Sequence, residues 1–367
     1  MTDLSPEQVR YLRLRSQCLI GEPPTSIVPL VHDLFAVQAQ DASAALLAIR
    51  PRSTGITATD VEHAQLGDHI LVRTSLIRGT LHLLASDDLA WLLPAIGERA
   101  IQQDQGRRKQ LGIDDTMCER ANKELARHLA EEGSLPRSRI AEIFGSLSIP
   151  NEGQAVPHLL YQASYKGIVC RGEDRGKDSY YAPLSDWVTL DHTPPQDWQA
   201  RLAKRYLAAF APAYPEDFAA WTGIPLGEAR SAFRDIADEL IEVQIDSAPA
   251  CILKEQAASL DKPVEFPVVK LLPAFDNTLL GYRSRDWILP HKHSKRIFAG
   301  GGLFYPMVLI NGIAAGKWST KKTKQGITIT VTPFEVLSSN VMIALESEAQ
   351  DVGRFLAREA KLEIVEG

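Results

Sequence analysis

The sequence predicts an α+β protein that consists of three tandem winged-helix units followed by a C-terminal antiparallel β-barrel-like domain. Three observations support this fold class. Segments with helical periodicity come in groups of three, and each group is followed by two short strands. This order occurs three times without a strict sequence period, which indicates a repeated structural unit rather than a solenoid. The last third of the chain is rich in strand and turn signals instead.

The length of 367 residues is too great for one ordinary domain. We place the winged-helix units at residues 1–112, 113–195 and 196–262, and the β-rich domain at residues 263–367. Hydrophobic residues make up 45% of the chain and charged residues 23%, which is typical of a soluble globular protein with a sizeable core. This composition excludes a disordered or fibrous protein.

The first unit begins with a clear helix start. Ser5 is a capping residue, Pro6 occupies the first helical position and Gln8 completes a capping box. The Arg78-Gly79 dipeptide lies within an apolar, β-branched stretch and predicts the turn of a hairpin. The other predicted elements of this unit are helices at 25–37, 42–49, from 59 onwards and at 86–100, with the hairpin strands inside 70–84.

The second and third units repeat this order. The second unit has predicted helices at 116–132, 134–144 and 154–166, and strands at 167–170 and 179–182 around a polar wing tip. The third unit has predicted helices at 198–210, 215–221 and 226–240, and strands at 241–245 and 250–255. A winged-helix unit lays a helix in a DNA groove and a hairpin along the backbone, although such units also serve as scaffolds.

The β-rich domain is predicted from its turns. Asn311-Gly312 between two apolar runs is the strongest hairpin signal in the chain, and Gly300–Gly302 predict a flexible corner. The predicted elements are strands at 268–272, 303–310, 313–319, 327–331 and 362–365, a turn at 321–326 and a helix at 336–358.

Charge is distributed unevenly along the chain. The formal net charge is −6, which by itself argues against a nucleic-acid partner. The segment from Gly281 to Gly326, however, contains nine basic residues and a single acid, Asp286. The basic residues are Arg283, Arg285, Lys292, Lys295, Arg296, Lys317, Lys321, Lys322 and Lys324. A basic stripe on an acidic body is compatible with a local polyanion site and, equally, with a solvated charged face.

Several familiar sites are missing from the sequence. No apolar run approaches the ~18–20 residues of a membrane span, and the N-terminus has no signal-peptide pattern. The four cysteines are widely spaced, and none of the nine histidines stands in an HExxH pattern. The sequence also lacks GxSxG, a Walker loop and GxGxxG. We therefore expect a cytoplasmic protein that uses no metal and no cofactor.

One segment does not fit core packing, namely Gln38-Ala39-Gln40, which follows an apolar helical run. In extended backbone between two helices, residues two apart face the same way. Gln38 and Gln40 then offer uncharged donors and acceptors that can hold a water molecule or solvate a developing positive charge. An ordinary helix junction capped by Asp41 or Ser43 is the alternative interpretation.

A resemblance to a known family is carried by four stretches of sequence. They are DLFAVQAQDASAALLAIRPR, ILVRTSLIRGTLHLLASDDLAWLLP, LLPAFDNTLLGYRSRDWILP and GGLFYPMVLINGIAAGKWST. In these stretches, and over nearly its whole length, the chain resembles the AlkZ/YcaQ family of bacterial DNA glycosylases. The resemblance implies tandem winged helices on a C-shaped DNA-binding surface, and an enzyme that removes alkylated bases, including bulky adducts and interstrand crosslinks. The Gln-x-Gln form of the catalytic motif, in place of Gln-x-Asp, implies the AlkZ-like branch and a narrower adduct range.

The resemblance also implies catalytic roles for Gln38 and Gln40, which would orient the attacking water and stabilise the oxocarbenium-like sugar. A purine alkylated at N7 or N3 is already cationic and leaves readily, so positioning the water is most of the work. The motif contains no lysine, which predicts a monofunctional glycosylase without a Schiff base. The AlkZ-like branch includes self-resistance enzymes, so the role is general repair or protection from an alkylating natural product.

Further residues are candidate contacts to the lesion or to DNA. On a strand, Arg78, Thr80 and His82 would share a face, sit beside the glutamines and touch the lesion or a phosphate. A satisfied, semi-buried histidine is the alternative interpretation of His82. The residues predicted to bind DNA are Lys321, Lys322 and Lys324 at the barrel hairpin, which approaches DNA in the family, together with Arg171, Arg175 and Arg285.

We expect the partner to be double-stranded DNA containing alkylated bases. We expect a monomer, because the sequence has no coiled-coil heptads and the resemblance implies one. Two other classes stay open. A winged-helix DNA-binding protein or regulator without catalysis predicts DNA affinity without base release, and an interaction scaffold predicts no DNA affinity even at low salt.

Overall fold

The computed structural model of the chain describes residues 2–176, 178–191, 193–260, 267–324 and 326–365. It divides the chain into two units, the first formed by Met1–Val61 with Gln199–Gly367 and the second by Glu62–Trp198. The domain boundaries expected from the sequence remain a prediction, and the boundary at 262–263 lies outside the described residues. Helices together with several small sheets confirm the α+β fold class.

The N-terminal part of the first unit is mainly helical. Its elements are β1 (Thr2–Asp3), α1 (Pro6–Ser16), α2 (Ile27–Leu34), β2 (Val37–Gln38), α3 (Ala42–Ile49) and the start of α4 (Ala58–Leu66). The predicted capping box of α1 is confirmed, because the Gln8 N–H donates to Ser5 Oγ at 3.2 Å and the Ser5 N–H donates to Gln8 Oε1 at 2.9 Å. Helix α2 ends at Leu34, before the predicted residue 37, because Phe35 adopts a positive φ of 64°.

The second unit begins with a hairpin and continues with helices and a small sheet. Its elements are β3 (Leu71–Ser75), β4 (Leu81–Ala85), α5 (Ser86–Gln110), α6 (Asp115–Glu132), β5 (Leu135–Pro136), α7 (Arg137–Ser146), α8 (Ala155–Tyr165), β6 (Val169–Arg171) and β7 (Tyr180–Pro183). The predicted hairpin is confirmed by antiparallel pairing of β3 with β4, which places Thr74 opposite His82. Strand β7 pairs with both β5 and β6.

A third group of helices follows and, from Gln199 onwards, belongs to the first unit. It consists of α9 (Trp198–Phe210), α10 (Pro215–Thr222) and α11 (Leu226–Asp235), followed by β8 (Leu240–Ile245) and β9 (Ala248–Leu253). Strand β1 pairs in parallel with β8, so the start of the chain completes this small sheet. The order of helices and hairpins follows the expectation in all three groups, and their assignment as winged helices remains a prediction.

The C-terminal part of the first unit is built on a five-stranded sheet in the order β10-β13-β14-β15-β16. The elements are β10 (Val269–Leu272), α12 (Asn277–Leu280), α13 (Ser294–Ile297), β11 (Phe298–Gly300), β12 (Leu303–Phe304), β13 (Met307–Ile310), β14 (Ile313–Lys322), β15 (Ile327–Pro333), α14 (Ser339–Phe355) and β16 (Ala360–Ile364). Helix α14 packs its Leu345 and Val352 side chains against Trp318 and Ile329 of the sheet. Asn311 and Gly312 both have positive φ, as the predicted hairpin turn requires.

The expectation of an antiparallel barrel-like domain needs correction. Over the described residues the five-stranded sheet is open, because its edge strands β10 and β16 do not pair with each other. The pairing of β15 with β16 is parallel, since α14 carries the chain back before β16 begins. Gly300–Gly302 were expected to form a flexible corner; Gly300 instead ends β11, and Gly301 and Gly302 form the turn between the paired strands β11 and β12. No helix in the described ranges combines the length and apolar character needed to cross a bilayer.

Candidate active site

The Gln38-Ala39-Gln40 segment is non-helical, with Gln38 at the end of a short strand and Gln40 in a bend. Strand β2 covers Val37 and Gln38, and the chain stays non-helical up to Asp41. Val37 and Ala39 are buried, whereas Gln38 is half-buried and Gln40 is exposed. Because burial alternates along the segment, both glutamines lie on its more accessible side.

The chain reverses direction at Phe35, between the end of α2 and the glutamine segment. Phe35 has the positive φ of 64° that ends α2, and its ring is fully buried. The ring lies 5.8 Å from the ring of Trp221, and the Arg205 guanidinium lies 4.9 Å from its centre. Such a backbone conformation is unfavourable for a bulky residue and persists only where surrounding contacts hold it. Aromatic and cation–π contacts therefore fix the start of the glutamine segment.

The glutamine segment is followed directly by α3, whose first turn is capped. Asp41 Oδ1 accepts a hydrogen bond from the Ala44 N–H at 3.0 Å, so Asp41 caps α3 and Gln40 directly precedes this cap. Of the two caps proposed from the sequence, Asp41 is the one used. The glutamines thus sit between a reversed helix end and a capped helix start.

Asn277, at the start of α12, ties this segment to the C-terminal part of the chain. Its Oδ1 accepts a hydrogen bond from the Gln38 N–H at 3.3 Å, and its Nδ2 donates to the Ala36 carbonyl at 2.9 Å. Asn277 itself is buried, with 6% of its surface exposed. One amide side chain therefore satisfies a donor and an acceptor of the backbone that carries Gln38.

The neighbouring residue, Asp276, is held by a buried ion pair with Arg52. Its two carboxylate oxygens accept hydrogen bonds from Arg52 Nη1 and Nη2 at 2.8 and 2.7 Å, and both side chains are at most 1% exposed. Arg52 also donates to the carbonyls of Gln17 and Ala48. Asp276 further accepts from the N–H and hydroxyl of Thr278. Bidentate pairing of this kind fixes geometry as well as charge.

A second buried arginine connects the same region to the C-terminal helix. Arg50 donates to Glu348 at 2.7 Å, to Asp351 at 2.9 Å and to the Leu271 carbonyl at 2.8 Å. The Arg50 guanidinium and the Lys270 ammonium, together with the Leu271 N–H, hold the pKa of Glu348 below its usual range in spite of its burial. Arg50, which directly follows α3, therefore ties the end of that helix to α14 and β10.

Arg78, Thr80 and His82 do not form the expected common strand face. Arg78 lies in the turn between β3 and β4 with φ 52°, Thr80 follows that turn, and only His82 belongs to β4. Gly79 is required there, since its φ is 74° and an added Cβ would lie 2.6 Å from the Tyr161 ring. These residues do not share a strand face because the turn covers Ile77–Gly79 and β4 begins only at Leu81. Contact of these residues with a lesion stays a prediction.

His82 has the features of the alternative interpretation, a satisfied buried histidine. It is 3% exposed, and its Nδ1 lies 3.0 Å from the Thr80 carbonyl oxygen. Because a carbonyl only accepts, Nδ1 carries the proton in the neutral ring. Burial lowers the pKa of His82 to about 4. The ring is therefore uncharged near neutral pH.

The predicted DNA-binding residues fall into two groups by exposure. Lys321, Lys322 and Lys324 are exposed at the end of β14 and in the turn after it, and within the described ranges no carboxylate lies within ion-pair distance of them. Arg175 is also exposed, although it lies 3.3 Å from Glu173. Arg171, in contrast, is 7% exposed and bound to Asp174 at 2.6 Å. Its burial argues against the DNA contact predicted for it.

Helix α8, the last of the three helices in the winged-helix unit predicted at residues 113–195, is largely buried. Leu159, Leu160 and Ala163 of α8 belong to the core of that unit, and α8 packs against α5. A helix covered in this way has little surface to place in a groove. For this helix the scaffold interpretation of a winged-helix unit fits better than groove recognition.

Sequence reasoning did not identify Arg52, Asp276 or Asn277 as residues of the site. The available signal was the presence of polar residues inside two apolar runs, AIRPRS near the N-terminus and PAFDNTLL in the last third of the chain. Each of these side chains is buried and engaged in hydrogen bonds to distant parts of the chain. Asn277 binds the backbone of the glutamine segment, and the Arg52–Asp276 pair holds the residue next to Asn277. None of the three was predicted to touch DNA.

The candidate active site carries two uncharged amide side chains, and the hairpin that follows β14 carries exposed lysines. The sequence model for the DNA glycosylase AlkZ-like family matches residues 31–355. The chain therefore belongs to the AlkZ-like DNA glycosylase family, and its enzyme class is DNA glycosylase.

A relative and a solved structure, both from Streptomyces sahachiroi, are similar to this chain. An interstrand DNA cross-link repair glycosylase from this organism is 27% identical over 372 residues, which cover 95% of this chain and 95% of the relative. The solved structure of Streptomyces sahachiroi DNA glycosylase AlkZ superposes with a TM-score of 0.83 at 25% identity, covering 99% of this chain and 100% of that chain. The likeness extends over both units of the present chain.

Proposed function

We propose that this protein is a monofunctional DNA glycosylase that hydrolyses the N-glycosidic bond of purines alkylated at N7 or N3. Bulky natural-product adducts and crosslinks are included, because the similar Streptomyces sahachiroi protein is named for interstrand cross-link repair. The role is DNA repair or self-resistance. The observation that carries the proposal is the non-helical Gln38-Ala39-Gln40 segment, whose backbone is held at Gln38 by the Asn277 side chain.

The proposed mechanism uses the two amides on a cationic substrate. Breakage of the N-glycosidic bond sends its electron pair to the alkylated base, which leaves as a neutral molecule. The sugar gains oxocarbenium character, and the amide oxygens of Gln38 and Gln40 stabilise that charge. They also orient a water molecule, whose oxygen bonds to C1′ while its proton passes to solvent. Because the leaving base is already cationic, no strong general acid is needed.

The absence of a lysine between Phe35 and Asp41 supports the monofunctional assignment. A bifunctional enzyme attacks C1′ with an amine and forms a Schiff base, which neither glutamine can do. Water is therefore the proposed nucleophile, and an intact abasic site is the proposed product.

DNA binding is assigned to the basic hairpin that ends β14. Lys321, Lys322 and Lys324 are exposed and, as far as the structure describes the chain, form no ion pair. Lysines in this state bind phosphates by releasing condensed counterions. The hairpin is thus locally positive although the formal net charge of the whole chain is −6.

The test is base release from a defined duplex. A duplex with one N7-methylguanine is incubated with excess protein, the free base is separated from the DNA, and a parallel sample receives borohydride. The proposal predicts free N7-methylguanine, an alkali-labile abasic site and no trapped protein–DNA adduct. If a panel of N7 adducts of increasing size is bound but none is released, the protein is a DNA-binding regulator instead. A borohydride-trapped adduct would contradict the monofunctional assignment.

A further inference from the structure

A cavity of about 650 Å³ opens in the C-terminal part of the first unit. Its volume lies within the ~300–1,000 Å³ range typical of small-molecule sites. Four aromatic side chains and three arginines are among its lining, together with three acids, a histidine and two serines. The lining residues used below are Arg283, Arg285, Phe298 and Phe304.

The aromatic wall of this cavity belongs to the β11–β12 hairpin. Phe298 and Phe304 stack with ring centres 4.9 Å apart and an interplanar angle of 27°. Phe298 remains 40% exposed, and the next large side chains, Leu303 and Tyr305, are 46% and 42% exposed. Exposed apolar groups of this size, clustered beside a cavity, mark a binding surface.

The cavity lining carries three arginines, Arg13, Arg283 and Arg285, and three acids, Glu216, Asp217 and Asp286. The Arg285 guanidinium lies 5.0 Å from the Phe304 ring centre, and the exposed Arg283 side chain has no ion pair among the described residues. The nearby acids are engaged locally. Glu216 binds Arg230, Asp217 accepts from the main-chain N–H groups of Tyr214 and Arg283, and Asp286 accepts from Ser284.

We propose that this cavity holds an unstacked nucleobase of the DNA strand, with Phe298 stacked on the base and Arg283 and Arg285 contacting the flanking phosphates. The proposal rests on the proposed function, since it requires DNA as the partner. Aromatic faces beside arginines are the combination that binds single-stranded nucleic acid, because every base has a face that can stack.

The cavity is connected to the glutamine segment through one stretch of chain. The Phe304 ring contacts the Phe275 ring edge-on, with centres 6.5 Å apart. Phe275 is followed by Asp276 and by Asn277, which binds the backbone of Gln38. A base stacked on Phe298 would therefore be connected, through Phe304 and the stretch from Phe275 to Asn277, to the backbone of the proposed catalytic Gln38.

Photocrosslinking locates the base directly. A duplex with one bulged 5-iodouracil and the matching fully paired duplex are bound to the full chain, irradiated and digested for peptide mass spectrometry. The proposal predicts a crosslink between residues 283 and 305 for the bulged base and a much weaker one for the paired base. Crosslinks that map only outside this stretch, with DNA bound, would overturn it.

Variants of Phe298 separate stacking from simple apolar contact. Phe298→Leu keeps an apolar side chain without a ring and should weaken binding to the bulged duplex about tenfold, a typical effect of losing base–aromatic stacking. Phe298→Trp should restore it, and both variants should bind the paired duplex as the parent does. Val336→Ala, at a fully exposed apolar position outside the cavity, is the control.

The outcomes distinguish this proposal from the proposed function. Equal affinity of Phe298→Leu and the parent for the bulged duplex would overturn the stacking site, while base release from alkylated DNA could still be intact. Loss of binding in Phe298→Trp but not in Phe298→Leu would also overturn it, because an aliphatic contact would then suffice. Failure of the parent protein to bind any DNA would remove both proposals.

Discussion

The side-chain oxygen of Asn277 accepts a hydrogen bond from the main-chain N–H of Gln38 at 3.3 Å, while its amide nitrogen donates to the Ala36 carbonyl at 2.9 Å. One buried side chain thus holds the backbone on both sides of Val37. The neighbouring Asp276 is locked by Arg52, so the support is itself anchored. The glutamine segment therefore depends on residues that are far from it in sequence.

Loss of the Asn277 hydrogen bonds should slow base release without weakening DNA binding. Asn277→Leu leaves the Gln38 N–H and the Ala36 carbonyl without the amide that now binds them, and a small displacement of a catalytic group can cost about 100-fold in rate. Single-turnover rates and the Kd for a duplex with a stable abasic analogue check this. A parallel loss of affinity and rate would point to general unfolding instead.

Asn277→Asp should make the reaction depend on pH in a particular direction. An ionised carboxylate can accept from the Gln38 N–H but cannot donate to the Ala36 carbonyl, and burial beside that carbonyl raises the pKa of the new carboxyl. Protonation at lower pH restores the donor. The ratio of variant to parent rate, each corrected for spontaneous depurination, should therefore rise as pH falls. A ratio independent of pH would contradict the positioning role.

The exposed lysines of the β14 hairpin should set the salt dependence of DNA binding. Replacing Lys321, Lys322 and Lys324 by alanine should lower the slope of log Kobs against log[salt] by about 0.9 for each phosphate that is no longer neutralised. Binding to unrelated duplex sequences should weaken equally. Lys361→Ala, which removes an exposed lysine already paired with Glu363, is the control and should leave the slope unchanged. An unchanged slope in the triple variant would refute the role.

The buried Arg52–Asp276 pair should be a major determinant of stability. Arg52→Ala leaves the Asp276 charge buried without its partner, which typically costs about 3–5 kcal/mol. The exposed Lys361–Glu363 pair offers a comparison, since breaking it by Lys361→Ala should cost about 0–1 kcal/mol. Urea unfolding of both variants measures the difference. Similar destabilisation of the two variants would show that burial adds nothing to this pair.

His82 should make the free energy of unfolding of the second structural unit, Glu62–Trp198, depend on pH. Its pKa is about 4 in the folded protein and about 6.5 in an unfolded chain, so unfolding takes up a proton between these values. The contribution is complete above pH 6.5 and is lost as pH falls toward 4, by about 3 kcal/mol in total. His82→Gln should reduce this loss, whereas His63→Gln at an exposed site should not. Urea unfolding at pH 7.5 and pH 5 checks the difference.

Local patterns in the sequence predicted local structure well. The capping box of α1, the helix α3 at its full length and the Asn311-Gly312 hairpin all depend on residues within a few positions of one another. Elements governed by distant contacts differed from expectation. The apolar run continues through Val37, but α2 stops because Phe35 is held in a reversed conformation by Trp221 and Arg205.

Long-range pairings could not be predicted from periodicity. Parallel pairing of β15 with β16, and the open edges of the sheet over the residues that the structure describes, depend on where α14 returns the chain. Asn277 is 239 residues from Gln38, and Asp276 is 224 residues from Arg52, so no spacing rule links them. Arg171 has the sequence context of an exposed wing residue, yet Asp174 and the Tyr181 ring enclose it.

The central claim is that Gln38 and Gln40 perform the chemistry, and single-turnover base release tests it most directly. The parent, Gln38→Ala and Gln40→Ala proteins are compared on a duplex with the N7-alkylguanine that the parent excises. The account predicts rapid release by the parent and a loss of about 10²–10³-fold in each variant, with the Kd for the abasic-analogue duplex unchanged. Release by both variants at the parent's rate would contradict it.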